Sequence, residues 1–182
     1  MESYEMTIAG LKRELPLCAV NDSMEIAAFI LFGDVEITVA SAKALLERVP
    51  DFDLILTPEA KSIPLAYEMS RQCGKRYIVA RKGTKVYMAH PISVEVRSIT
   101  TDHTQRLYLG EDDVKRMREK RVLIVDDVIS TGESLNAVQR LVEESGGAIA
   151  ASCAILAEGD AAARNDIVYL EKLPLFFKNR NS

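Results

Sequence analysis

The sequence predicts an α/β fold, a mainly parallel sheet flanked by helices on both faces, and three observations support it. Apolar runs of strand length alternate with segments whose apolar residues recur at helical spacing. Several of those runs are apolar at successive positions, as in strands covered on both faces. The strongest run, Val122 to Val125, leads into two adjacent aspartates and then a Ser/Thr/Gly loop. In sheets of this kind the ligand crevice lies beyond the carboxyl ends of the strands.

The elements follow in order. "MEIAAFILF", Met24 to Phe32, reads as a strand, and "DVEITVASAKALLERV" as a helix capped by Asp34, with Ile37, Ala40, Ala44 and Leu45 at helical spacing. "DLILTPEA" reads as a short buried strand running into a loop. "SIPLAYEMSRQCG" is a helix closed by Gly74, and "RYIVARK" is the next strand. From Lys82 to Asp113 the pattern weakens around the polar tip "TTDHT", a hairpin-like excursion long enough to be a flexible lid, about 86–111. "KRVLIVDD" is the dominant strand. "GESLNAVQRLVEESGG" is its helix, with Leu135, Val138, Leu141 and Val142 on one face, and "AIAASCAIL" supplies one more strand.

At 182 residues the chain suits one domain spanning 1–182. Its 48% apolar and 27% charged residues are ordinary for a soluble protein, and a net charge of -4 argues against a nucleic-acid surface. Cys18, Cys73 and Cys153 are odd in number, widely spaced and set among apolar residues, which suits small buried side chains in a reducing cytoplasm better than a disulfide framework or a zinc site. The N-terminus lacks the apolar core of a leader, and no run approaches the roughly 18 apolar residues of a membrane span.

The chemistry concentrates in "VLIVDDVISTGES". Asp126 and Asp127 at the carboxyl end of a buried strand reach the crevice, where carboxylates accept hydrogen bonds from a vicinal diol at about 1.5–3 kcal/mol each. The loop that follows has the opposite electrostatic character. Gly132 permits a tight turn, Thr131 and Ser134 add hydroxyls, and the amides of Ser130 to Ser134 with the next helix N-terminus favour an anion. A diol on the acids and a phosphate in the loop describe a ribose 5-phosphate.

This segment resembles the phosphoribosyl pyrophosphate (PRPP) signature of type I phosphoribosyltransferases, and the chain is most similar to their adenine and xanthine branches. The resemblance implies a fold with a small N-terminal hood, about 11–33. It implies that Asp126 and Asp127 bind the ribose, and that Val128, Ile129, Ser130, Thr131, Gly132, Glu133 and Ser134 bind the 5-phosphate. "TPEAKS" looks like the pyrophosphate loop, with Glu59, Ala60, Lys61 and Ser62 at the ligand and Lys61 replacing an arginine. The family often carries a non-proline cis peptide there, expected near Ala60–Lys61. "ARKGTK" supplies Arg81, Lys82 and Lys85, which in the family meet the pyrophosphate, commonly across a dimer interface.

The match is weaker in the lid, where Ser98 and Thr100 are available to PRPP and the carboxylate of the adenine enzymes is missing. Asn21 and Phe29 of the hood offer an amide and a ring to a purine. Ser130 stands where hypoxanthine-guanine enzymes have an aspartate, which favours the adenine branch, with xanthine next. The resemblance thus implies a homodimeric purine-salvage enzyme acting on PRPP and a purine base. Its catalytic set is Asp126, Asp127, Lys61, Arg81 and Lys85, with Mg²⁺ carried by PRPP and no metal held directly by the protein. The alternative is a PRPP- or nucleotide-binding regulator on the same fold, without turnover.

Overall fold

The computed structural model describes residues 2–96 and 105–177. Strands β1 (Ser3–Ile8) and β2 (Leu11–Asn21) form an antiparallel hairpin, and β3 (Met24–Ala27) pairs with β2. Helix α1 (Val35–Leu46), strand β4 (Leu54–Pro58), helix α2 (Ile63–Cys73) and strand β5 (Tyr77–Ala80) follow. Next come β6 (Ile92–Val96), β7 (Gln105–Leu109) and the short helix α3 (Glu111–Met117). The second half holds β8 (Arg121–Ile129), α4 (Glu133–Glu144), β9 (Ala148–Glu158), a 3-10 turn at Gly159–Ala163, β10 (Val168–Leu173) and β11 (Leu175–Phe177).

The central sheet has the order β10-β9-β8-β4-β5, and every pairing in it is parallel. Side chains alternate across a strand, so one apolar run feeds two cores. Ile55, Leu123 and Val125 pack with α1 and α2 on one face, while Leu54, Leu56, Val122 and Ile124 pack with α4 on the other. Fully burying a Leu, Ile or Val contributes about 1.5–3 kcal/mol, which is why Leu54–Leu56 and Val122–Val125 are apolar at successive positions.

Asp34 caps α1 as expected, its Oδ1 accepting from the Ile37 amide at 3.1 Å. Arg13 of β2 also donates to Asp34, at 2.6 and 3.0 Å, tying the N-terminal hairpin to the head of α1. The pair holds the Asp34 carboxyl below the usual aspartate range, chiefly through the Arg13 hydrogen bond. Gly74 closes α2 with a left-handed φ of 72°.

Four features depart from the expectation. The predicted strand at 24–32 ends at Ala27; Phe29 and Leu31 are apolar because they enter the core, not because they continue a ladder. The β1–β2 hairpin turns at Ala9–Gly10, both at positive φ, as a type I′ turn requires. Strands β10 and β11 sit at sheet margins, where Glu171, Lys172 and Pro174 obscure an apolar pattern. Cys18 is exposed on β2 rather than buried, whereas Cys153 lies in the core.

Candidate active site

A crevice opens at the carboxyl edge of the central sheet because two neighbouring strands part there. β4 pairs with β8 only as far as Leu56 with Ile124, whereas β9 accompanies β8 to Ile129. Beyond Ile124 one side of β8 is therefore unpaired. The chain after β4 turns through a cis peptide at Glu59–Ala60, one bond earlier than expected. The Thr57 hydroxyl, fully buried, lies 2.8 Å from both the Val125 carbonyl and Ser62 Oγ, and the Ser62 hydroxyl donates to the Pro58 carbonyl at 3.0 Å. These bonds fasten the loop to β8 immediately before the acidic pair. They also turn the Ser62 side chain into the protein, so only its backbone remains for a ligand.

The resulting cleft, about 370 Å³, is lined by Glu59 to Ser62, Lys82, Asp126 to Val128 and Ser134, with Val96, Gln105 and Leu107 of the β6–β7 hairpin on the far wall. The acids lie within β8 rather than past its end, and they differ. Asp127 is 3% exposed, and its Oδ2 receives no hydrogen bond among the described residues; the Lys61 ammonium stands 3.3 Å away as an ion pair without hydrogen-bond alignment. Asp126 keeps some surface open to the cleft, and its Oδ1 accepts from the Asp127 amide at 2.9 Å. Desolvation first, then the charge of Asp127, pushes the Asp126 carboxyl well above the usual aspartate range, with the Asp127 amide and Lys61 opposing.

Past β8 lies a smaller cup of about 60 Å³ formed by Asp126, Val128 to Gly132, Ser134 and Leu135. Among the described residues, the amides of Ser130, Thr131 and Gly132 donate to no backbone carbonyl. Gly132 has φ 84°, a conformation that glycine adopts without penalty, and starts α4 by accepting from the Asn136 amide at 2.8 Å. Open amides beneath a helix N-terminus are an anion site in waiting.

The basic turn behaves less simply than its sequence suggests. Glu59 Oε2 accepts from Arg81 Nε at 3.1 Å and from the Lys82 amide at 2.9 Å, bonds that hold its carboxyl below the usual range, the Lys82 amide contributing most. Arg81 also donates to Tyr87 Oη at 3.0 Å, and its backbone pairs with Tyr108 of β7. Glu59 and Arg81 thus brace the base of the hairpin, and Lys82 is the residue of this turn that faces the cleft. Lys85 is exposed and does not line it.

The hood residues do not join the cleft either. Phe29 is packed in the core, and Asn21 Oδ1 accepts from the Ser23 amide and hydroxyl, both at 2.9 Å, to close the β2–β3 turn. Ser98 and Thr100 lie outside the described residues. Two residues that sequence reasoning missed stand at this edge. Glu158 ends β9, half-buried, with desolvation raising its carboxyl and Lys61 opposing the shift; an acid closing an apolar run was its signal, as for Asp126. Arg164, in the segment after the 3-10 turn, lies against Gly132, and nothing in its local sequence marks it.

The sequence and the fold match a known family. The sequence matches the family described as phosphoribosyl transferase domain over residues 36–174. The chain belongs to that family. Among relatives of this phosphoribosyltransferase, the adenine phosphoribosyltransferase of Thermotoga petrophila is 33% identical over 139 residues, 71% of this chain and 78% of the relative. That of Bifidobacterium adolescentis is 30% identical over 168 residues, 82% and 84% of the two chains. The crystal structure of the Thermoanaerobacter pseudethanolicus adenine phosphoribosyltransferase superposes with a TM-score of 0.67 at 26% identity, covering 78% of this chain and 84% of that one. The five-stranded parallel sheet flanked by helices is thus the phosphoribosyltransferase fold. No helix among the described residues is long and apolar enough to cross a membrane.

Proposed function

We propose that this phosphoribosyltransferase transfers the 5-phosphoribosyl group of PRPP to adenine, giving the nucleoside 5'-monophosphate and pyrophosphate, with xanthine the next candidate base. The observation that carries the reading is the continuity of one crevice: paired acids on β8, the open-amide cup after them, and the Lys61 and Lys82 side of the cleft before them. Asp126 and Asp127 accept the ribose hydroxyls, and Ser130 to Ser134 hold the 5-phosphate. Lys61 and Lys82 lie where charge builds on departing pyrophosphate, and stabilisation of that charge in place is the main source of rate. The β6–β7 wall restricts water, which otherwise competes for the ribosyl carbon.

Mg²⁺ fits this arrangement as a passenger of PRPP. The diphosphate itself offers oxygens and Mg²⁺ retains several waters, so the ion needs few protein ligands. Bound so, it neutralises the leaving group. Arg81 and Lys85, which do not face their own chain's cleft, are assigned to the cleft of a second copy, making the enzyme a homodimer. Exposed Val86 and Tyr87 beside Lys85, and Val35, Val39 and Tyr67 along the α1–α2 groove, are apolar surface suited to that contact. The reducing cytoplasm is the assigned compartment.

Incubation with PRPP and Mg²⁺ plus adenine or xanthine in separate reactions, followed by pyrophosphate release, tests the reading. Release with adenine is expected. Tight PRPP binding without release for any base would instead make the protein a regulator, a reading favoured by one feature, the Lys61–Asp127 contact, which sets a cation on the ribose-binding acid.

A further inference from the structure

The signature loop Ser130–Ser134 contains no lysine or arginine, and its one charged residue, Glu133, is acidic. Yet the structure brings a cation to it from elsewhere. Arg164 Nη1 lies 2.5 Å from the point a Cβ on Gly132 would occupy, so the guanidinium fills the space that the glycine leaves. Asp166 fixes this approach by accepting from Nε at 2.9 Å and from Nη2 at 2.6 Å. That two-pronged bond occupies one edge of the guanidinium and leaves both Nη1 donors without a partner among the described residues.

The electrostatics of that position need an explanation. A helix N-terminus carries partial positive charge and disfavours a cation beside it. Here a guanidinium lies against Gly132 at the head of α4, outside the lining of the cup but beside loop amides that donate to no backbone carbonyl among the described residues. Asp166 supplies one negative charge, but on the opposite edge of the guanidinium from the loop. A dianion seated in the cup and reaching its rim at Gly132 would meet all three groups at once: the amides, the helix end and the Nη1 donors.

We propose that Arg164 is a binding residue for the 5-phosphate of the phosphoribosyl ligand, with Asp166 as the positioning residue that aims it. The assignment rests on the phosphoribosyl reading of the cup and adds to it a ligand from the segment after β9, outside the signature. It also gives Gly132 a second reason to be glycine, since any Cβ there displaces the guanidinium.

The test compares AMP with adenosine, two probes that differ by the phosphate, by calorimetry on Arg164→Ala, Arg164→Lys and Asp166→Asn. Arg164→Ala weakens AMP binding by ~10- to 100-fold, as loss of charge-assisted bonds predicts, and leaves adenosine unchanged. Arg164→Lys falls between the two, Asp166→Asn costs less than Arg164→Ala, and free guanidinium ion partly restores AMP binding to the alanine variant. In turnover, KM for PRPP rises while kcat changes little, because the contact is equal in ground and transition states. AMP affinity unchanged within twofold in folded Arg164→Ala would overturn the proposal, as would equal losses for AMP and adenosine, which would make Arg164 a support of the fold. If Arg164→Ala does not fold, the same two readings are taken on Arg164→Lys. Wild-type protein that binds neither AMP nor PRPP would instead remove the phosphoribosyl reading on which the assignment stands.

Discussion

Strand β8 carries charge at both of its ends, and the two ends handle it differently. At the amino edge Arg121 donates to Asp51 at 2.8 Å and to Asp53 at 2.9 Å, while Lys75 donates to Asp51 at 2.8 Å; Asp51 and Arg121 are exposed, and Lys75 and Asp53 are partly so. At the carboxyl edge Asp126 and Asp127 share one cation, Lys61, and Asp127 Oδ2 accepts no hydrogen bond among the described residues. The first arrangement is matched and exposed, so it contributes little to stability and is chemically idle. The second is desolvated and under-paired, a condition that burial makes costly and that a ligand's hydroxyls and accompanying cations relieve. A fold keeps such a site only where binding compensates for it.

The largest effect should come from removing the acids. Asp126→Asn with Asp127→Asn is expected to weaken PRPP binding by at least ~100-fold, from two charge-assisted bonds of about 1.5–3 kcal/mol each. Calorimetry that returned a normal affinity would erase the distinction between the two edges. Lys61→Met comes next, since it strands the Asp127 charge. Chemical denaturation should show a loss of ~1 kcal/mol, less than for a fully enclosed pair because Lys61 is 56% exposed, and pyrophosphate release should slow as well.

The third prediction separates stability from function. Because the folded carboxyl of Asp126 sits above its unfolded value, the stability linked to it is fully present below the unfolded pKa of about 3.9. That stability is lost as pH rises through the raised folded value. Asp126→Asn is neutral throughout, so it should stabilise the protein at pH 8, with the advantage shrinking as pH falls toward 4, while weakening PRPP binding. Melting curves across that range check the sign; a variant less stable than wild type at pH 8 would contradict it.

The smallest effect belongs to the amino edge, where the pH dependence reverses. Hydrogen bonds from Lys75 and then Arg121 hold the Asp51 carboxyl down at about 2. Its contribution is present above the unfolded pKa and lost as pH falls through that value. Asp51→Asn should therefore lower Tm by no more than ~2 °C at pH 7 and leave pyrophosphate release unchanged.

Particular residues show where sequence reasoning reaches and where it stops. Asp34 and Gly74 were legible because helix caps act over three or four residues, and the chain's own spacing reports them. The two-sided burial of β8 was legible because no soluble strand is apolar at successive positions without cover. Phe29 admits two readings in the sequence, packing or stacking on a ligand, because an aromatic ring has the same letter in both, and the structure shows it packed in the core. That Glu59 and Arg81 are bonded to each other across a turn was not legible, because 22 positions separate them and neither segment's pattern points to the other.

By itself the sequence determined the order of α1, β4, α2, β5, β8, α4 and β9, the location of the acids, and the Ser/Thr/Gly loop behind them, since these depend on neighbours within one turn or one strand. Only the tertiary structure decided that β4 leaves β8 after Ile124 to open the cleft, that Lys61 reaches Asp127, and that Arg164 rests on Gly132. Those pairings join residues 32 to 68 positions apart. They depend on how the sheet's strands are ordered and where each ladder stops, which no local pattern of residues encodes.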